Sequence, residues 1–229
     1  MSKPAIFFVD AHPDDSECFA GTAFLLRGEY DIHVVDLTHG ENGLGLAGRL
    51  DGTTAATRTA EEYAACGYLG ATVHFLHDVN GSAEASRASV DALAYLLTTL
   101  RPVAIFTHWP VDEHPEHVQT AAVVGHALSI SGVKAERYFF EASIGQTANW
   151  CPCYSVDVSA TMPQKLEMLA KYACQNENGI LIKENENRGR LRGRERSAPV
   201  EFAETFDTFD GNPVSRGVLE RLEETLSLR

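Results

Sequence analysis

An α/β fold on a mostly parallel sheet is predicted by the alternation of two kinds of segment along the chain. Short apolar runs rich in β-branched and aromatic residues read as strands, and longer segments with apolar residues at helical spacing lie between them. The alternation requires helices on both faces of the sheet. Right-handed crossovers then favour a doubly wound, Rossmann-like three-layer αβα arrangement. No linker rich in Pro, Ser or Gly and no internal repeat divides the 229 residues, so a single domain is expected over 1–229.

The strands follow in order. AIFFVD (5–10) is the first, then HVVDLTH (33–39), TVHFLH (72–77), VAIFTH (103–108), RYFFEA (137–142) and YSVDVS (154–159). Helical patterns occupy the intervals near 17–28, 55–69, 84–100 and 115–131. Two further helix starts are legible. Thr161-Met-Pro-Gln164 has the form of a capping box with proline in its first turn, and Asn212-Pro213 pairs an N-cap with proline at the first helical position. The segment Lys183–Arg196, KENENRGRLRGRER, carries five arginines and no apolar stripe. It reads as a solvated loop, with a lid or a subunit contact as the sharper alternative.

Charge narrows the choice of partners. The chain has 32 acids against 19 bases, a net charge of −13, which argues against general binding to nucleic acid or to an anionic membrane. Five cysteines, at 18, 66, 151, 153 and 174, fit neither a paired disulfide framework nor a structural zinc site of two CxxC pairs, so a reducing compartment is expected. The apolar run near the start is too short for a signal-peptide core, and no stretch approaches membrane-spanning length. A cytoplasmic location is the expectation.

Chemistry concentrates at two strand ends. In open parallel sheets, ligands bind beyond the carboxyl ends of the strands, where AHPDDSE (11–17) falls. Pro13 would fix this loop, and Asp14 or Asp15 could cap the helix that follows. Three acids in so short a loop repel one another unless a cation intervenes. The second cluster, THWPVDEHPEHVQT (107–120), also joins a strand to a helix. With Pro115 near the first helical position, His114 and His117 lie side by side and face the same crevice as His12. Two imidazoles, a carboxylate and an open position suit zinc with an activated water. The same trio also describes non-haem iron(II).

The motifs AHPDDSE, THGENG and HPEHVQT resemble those of the LmbE/PIG-L family of metal-dependent N-deacetylases. The order of further segments, from Arg58 and Glu61 through AACGYLG, SVDVSATMPQKLEMLAKYACQ and EFAETF, is similar to the family across most of the chain. The resemblance implies a Rossmann-like fold, usually with Zn2+, and hydrolysis of the acetamide of N-acetylglucosamine or a small conjugate of it, among them the malate conjugate that leads to bacillithiol. It implies that His12, Asp15 and His117 ligate the metal, that Asp14 is the general base and that His114 is the electrostatic catalyst, charged if it is to stabilise an oxyanion. Asp112 and Glu116 compete for the duty of orienting His114. Arg58, Glu41 and His39 are candidates for contacts to substrate. Relatives often form homo-oligomers, and that is expected here too.

Some positions depart from the family pattern. CFAGT replaces a glycine-rich turn, so Cys18 and Phe19 are expected to reshape the pocket floor. Tyr172 stands in place of a histidine, ahead of Cys174-Gln175. His33, His74, His77 and His126 read as packing or surface residues, and Cys151 and Cys153 as packing in a turn. Three rival readings stay open: an amidase on a thiol-sugar conjugate, a metal-assisted phosphoesterase, and a non-catalytic glycan- or metal-binding protein.

Overall fold

The computed structural model describes residues 2–43, 53–208 and 217–227. Strand β1 (Ala5–Asp10) is buried at all six positions, as expected of an interior parallel strand covered on both faces. It pairs in parallel with β2 (Asp31–Asp36) on one side and β4 (Ala104–His108) on the other. With β3 (Thr72–Phe75), β5 (Glu136–Phe140), β6 (Tyr154–Asp157) and β7 (Ala203–Asp207), these strands form one sheet in the order β3-β2-β1-β4-β5-β7-β6. Only β7 runs against its neighbours. The order reverses direction between β1 and β4, the place where open α/β sheets part to admit a ligand.

Alternation along β1 divides the core. Ile6 and Phe8 face helices α1 (Ala20–Leu26), α2 (Thr53–Leu69) and α5 (Met162–Leu169), whereas Phe7 and Val9 face α3 (Arg87–Leu100) and α4 (Pro115–Ser131). Phe8 stacks between Phe19 and Phe106, with ring centroids 4.3 and 4.6 Å away. Phe19 therefore belongs to the core, and neither it nor Cys18 lines the main cavity.

Four local expectations are corrected. Lys183–Arg196 is not a loop but most of α6 (Ile180–Glu195), and two of its arginines are drawn inward. Arg188 donates to the carbonyls of Glu17 and Ala142, while Arg192 pairs with Glu141. Thr161 precedes α5 but makes no capping bond; its hydroxyl donates to the Gly21 carbonyl at 2.8 Å instead, tying α5 to α1. Asp14 occupies the N-cap position of a short 3-10 turn (Asp15–Cys18), yet neither it nor Asp15 caps that turn through its side chain. The Asn212-Pro213 start lies outside the described residues. Cys151 and Cys153 are exposed rather than packed. Among the described residues, no helix is long and apolar enough to cross a membrane.

Candidate active site

The loops after β1 and β4 meet over the reversal point, at the floor of a cavity of about 710 Å³. Pro115 stands in the first turn of α4 and His114 is its N-cap, as the sequence predicts. This start fixes the directions of the two histidines, whose rings stack with centroids 4.6 Å apart. The edge of His12 comes within 4.9 Å of His114, again between centroids.

His12, Asp15 and His117 converge. His12 Nδ1 lies 3.2 Å from Asp15 Oδ2, and His117 Nε2 lies 3.7 Å from Asp15 Oδ1. One donor atom from each of the three lies within 4.8 Å of the others, close enough for a single divalent ion to be held among them. A second possible group, His12, His114 and Glu116, shares one histidine with the first. The first is the better donor set because each of its histidines rests its other nitrogen on a carboxylate. His12 Nε2 lies 2.6 Å from Glu116 Oε2, and His117 Nδ1 lies 3.1 Å from Asp112 Oδ1. Carboxylates so placed orient metal-binding imidazoles and raise their basicity.

This pairing alters two expected partnerships. Neither Asp112 nor Glu116 orients the His114 ring. Asp112 accepts from the backbone N–H of His114 at 2.8 Å and from the hydroxyl of Thr147 at 2.8 Å, and its side chain serves His117. Glu116 serves His12. His114 Nδ1 instead accepts the Glu116 N–H at 3.3 Å, which leaves Nε2 to carry the hydrogen of the neutral ring. Burial lowers the pKa of His114, and the neighbouring His117 and His12 lower it further. The environment therefore favours a neutral donor over the imidazolium.

The acids of the loop have separate environments. Asp15 is held well below the usual carboxylate range: burial works against ionisation, but the surrounding His117 and His108 outweigh it. Asp14 is pushed up to about 7, mainly by burial, with Arg58 opposing and Asp15 reinforcing the rise. Its backbone sits at φ +95°, a strained position for a residue with a side chain, and its N–H donates to Glu62. Glu62 is almost fully buried and also accepts from Tyr172 at 2.9 Å. His12 is lifted to about 9; burial opposes this, but its bonds to Asp15 and Glu116 prevail. An ion bound at Nδ1 must displace that proton.

Arg58 is neither a solvated helix end nor a partner of Glu61 or Glu62. It is buried, lines the cavity, and donates to the Pro13 carbonyl and to Asp14 Oδ1. His39 and Glu41 do not line the cavity. The ring of His39 bonds the Thr59 hydroxyl at 2.8 Å and stacks on Phe75, and Glu41 accepts from the Asn80 N–H at 2.9 Å.

His108 joins the site without belonging to either sequence motif, HPDD or HPEH. It is fully buried, its Nε2 stands 3.2 Å from Asp15 Oδ2, and its ring stacks on His117 with centroids 3.9 Å apart. Burial lowers its pKa to about 4, His117 adds to the effect and Asp15 opposes it. Its position as the last residue of β4 was the available signal.

Comparison with known proteins gives this constellation a context. Residues 7–128 match the PIG-L family, described as GlcNAc-PI de-N-acetylase. A conserved protein from Thermus thermophilus is similar in structure, with a TM-score of 0.76 and 22% identity over 93% of this chain and 97% of that one. N,N'-diacetylchitobiose deacetylase from Pyrococcus horikoshii has a TM-score of 0.76 and 19% identity, over 95% and 88% of the two chains. The 4-carboxy-2-hydroxymuconate hydratase from Pseudomonas putida reaches a TM-score of 0.79 at 23% identity, over 93% and 98%. At these identities the structural likeness establishes the fold, which hosts more than one chemistry.

Proposed function

The chain belongs to the PIG-L family, and from that premise we propose that it is a metal-dependent hydrolase that removes the acetyl group from an N-acetylated amino sugar or a small conjugate of one. The observation that carries this reading is the donor set of His12, Asp15 and His117 beside Asp14, an acid that burial holds at about 7. Zn2+ is the proposed ion, with Fe2+ as an alternative.

A divalent ion held by these three side chains supplies a polarised amide carbonyl and a water acidic enough to react near neutrality. Asp14 accepts the proton of the attacking water, a duty its pKa near 7 suits. Arg58 anchors the same carboxylate and keeps it from rising further. Nε2 of His114 donates to the oxygen where negative charge develops. The proton that Asp14 has taken is then available to the departing amine. Asp112, His108 and Glu116 orient the three candidate ligands.

The hydratase neighbour defines the rival outcome, addition of water to a carbon–carbon double bond. The test is a substrate panel assayed for acetate with the ion removed by chelator and restored: N-acetylglucosamine, its malate and inositol conjugates, and diacetylchitobiose. Metal-restored acetate release from at least one compound supports the proposal. Its absence across the panel, with hydration of an unsaturated acid in its place, overturns it.

A further inference from the structure

The carboxylate of Glu116 faces more donors than the orientation of one histidine requires. Its side chain is 5% exposed. Oε2 receives the Nε2 of His12 at 2.6 Å and the side-chain amide of Asn80. Oε1 receives the backbone N–H of Gly81 at 2.6 Å and that of Ala83 at 3.4 Å. Asn80 and Gly81 belong to the connection between β3 and α3, which forms one wall of the cavity.

That wall is fastened in turn to the loop after β2. The N–H of Asn42 donates to Asn80 Oδ1 at 2.9 Å, and its side-chain amide donates to the Asn80 carbonyl at 2.5 Å. Gly81 has φ +92°, a conformation that favours glycine, and a Cβ there would also displace the Asn42 side-chain amide, 2.1 Å away. Asn42 and Gly43 also line the cavity. A continuous set of bonds thus runs from His12 through Glu116 and Asn80 to Asn42.

We propose that Glu116 is a positioning residue that couples the candidate metal ligand His12 to the substrate-facing wall, one oxygen setting the ring and the other the backbone at Gly81. Both features of the residue matter. A carboxylate presents acceptors to donors on both sides, whereas an amide would turn an NH2 group against one pair of them. The glutamate length matters as well: aspartate would withdraw the carboxylate by roughly 1.5 Å, one carbon–carbon bond, out of reach of one side.

The test uses the full chain with Glu116→Asp, Glu116→Gln and Asn80→Ala. Hydrogen exchange at the Gly81 and Ala83 amides and zinc affinity, by competition with a chromophoric chelator, are measured without substrate, so neither depends on the deacetylase reading. Glu116→Gln should weaken zinc about ten- to a hundredfold or speed exchange by a similar factor, according to which side the NH2 faces. Glu116→Asp should do one or the other in the same way. Asn80→Ala should speed exchange at Gly81 while leaving zinc affinity within about twofold, because the His12 contact stays. If the substrate panel is active, both Glu116 variants should raise KM more for a conjugate than for N-acetylglucosamine. Unchanged exchange and unchanged zinc affinity in both Glu116 variants would overturn the proposal. So would exchange that rises uniformly across the chain in every variant, which marks a general loss of stability. Inactivity of the wild type on the panel would count against the deacetylase reading and leave the exchange result to decide this one.

Discussion

Replacing Arg58 separates two roles that a cavity-lining arginine could have. Its guanidinium touches Asp14 Oδ1, with side chains 6% and 18% exposed, so water screens the pair only in part. An opposite charge at contact holds a carboxyl down by about 1–3 pKa units. Loss of Arg58 should therefore raise Asp14 by that amount from its position at about 7. A general base must be deprotonated to act, so the acidic limb of the kcat/KM profile moves to higher pH, in the direction of the raised pKa. Each unit corresponds to about 1.4 kcal/mol, or tenfold in the fraction ionised below the pKa. Arg58→Met should lower kcat/KM at pH 7 by about fivefold or more, with activity climbing again as the pH rises toward the new pKa. The assay is acetate release across pH 5 to 10 with metal held saturating. A large rise in KM with the limb unmoved would refute this role and make Arg58 a sugar contact instead.

Other expectations follow from the same contacts. Asp112→Asn turns an amide toward the donors that meet its carboxylate and should weaken zinc about ten- to a hundredfold in a chelator titration. Lys165 and Glu204 form a nearly buried pair at 2.8 Å, so Lys165→Met leaves an uncompensated acid. It should cost about 3–5 kcal/mol in urea unfolding, far more than a surface pair. The thiol of Cys174 is lifted to about 11, chiefly by burial and by its bond to Glu61, so at pH 8 it stays protonated. Iodoacetamide mapped by mass spectrometry should label the exposed Cys151 well before Cys174.

The parallel half of the sheet was legible in the sequence because β1 and β4 are buried throughout and β2 is buried over its second half, with a composition that matches this environment. Legibility was weaker where polar residues are buried through pairing. Along most of helix α6 the inner face is polar or small: its buried residues are Leu181, Asn185, Gly189 and Gly193, with the half-buried Arg188 and Arg192 beside them. At Gly189 an added Cβ would stand 3.2 Å from Phe202, so a glycine that reads as a helix weakener serves close packing. Strand β7 was passed over for the same reason, since AETFD hides the charge of Glu204 against Lys165 and two N–H groups of α1.

The site was legible in its residue types and less so in its partnerships. HPDD and HPEH named His12, Asp14, Asp15, His114 and His117, and the geometry brings all five together. Proximity in sequence misled the assignment of Asp112 and Glu116 to His114. The N-cap turns the ring of His114 onto a backbone N–H, while the two acids point to the rings of His117 and His12. Such directions follow from the helix start in three dimensions and have no counterpart in spacing alone.

In the proposed mechanism Asp14 moves the proton while His12, Asp15 and His117 hold the ion. Metal content and acetate release measured together on Asp14→Asn test it most directly. Metal stoichiometry should equal that of the wild type, with turnover of an accepted substrate lowered by about 10²–10⁴-fold. Acetate release near the wild-type rate from metal-replete Asp14→Asn would remove Asp14 from the proton transfer.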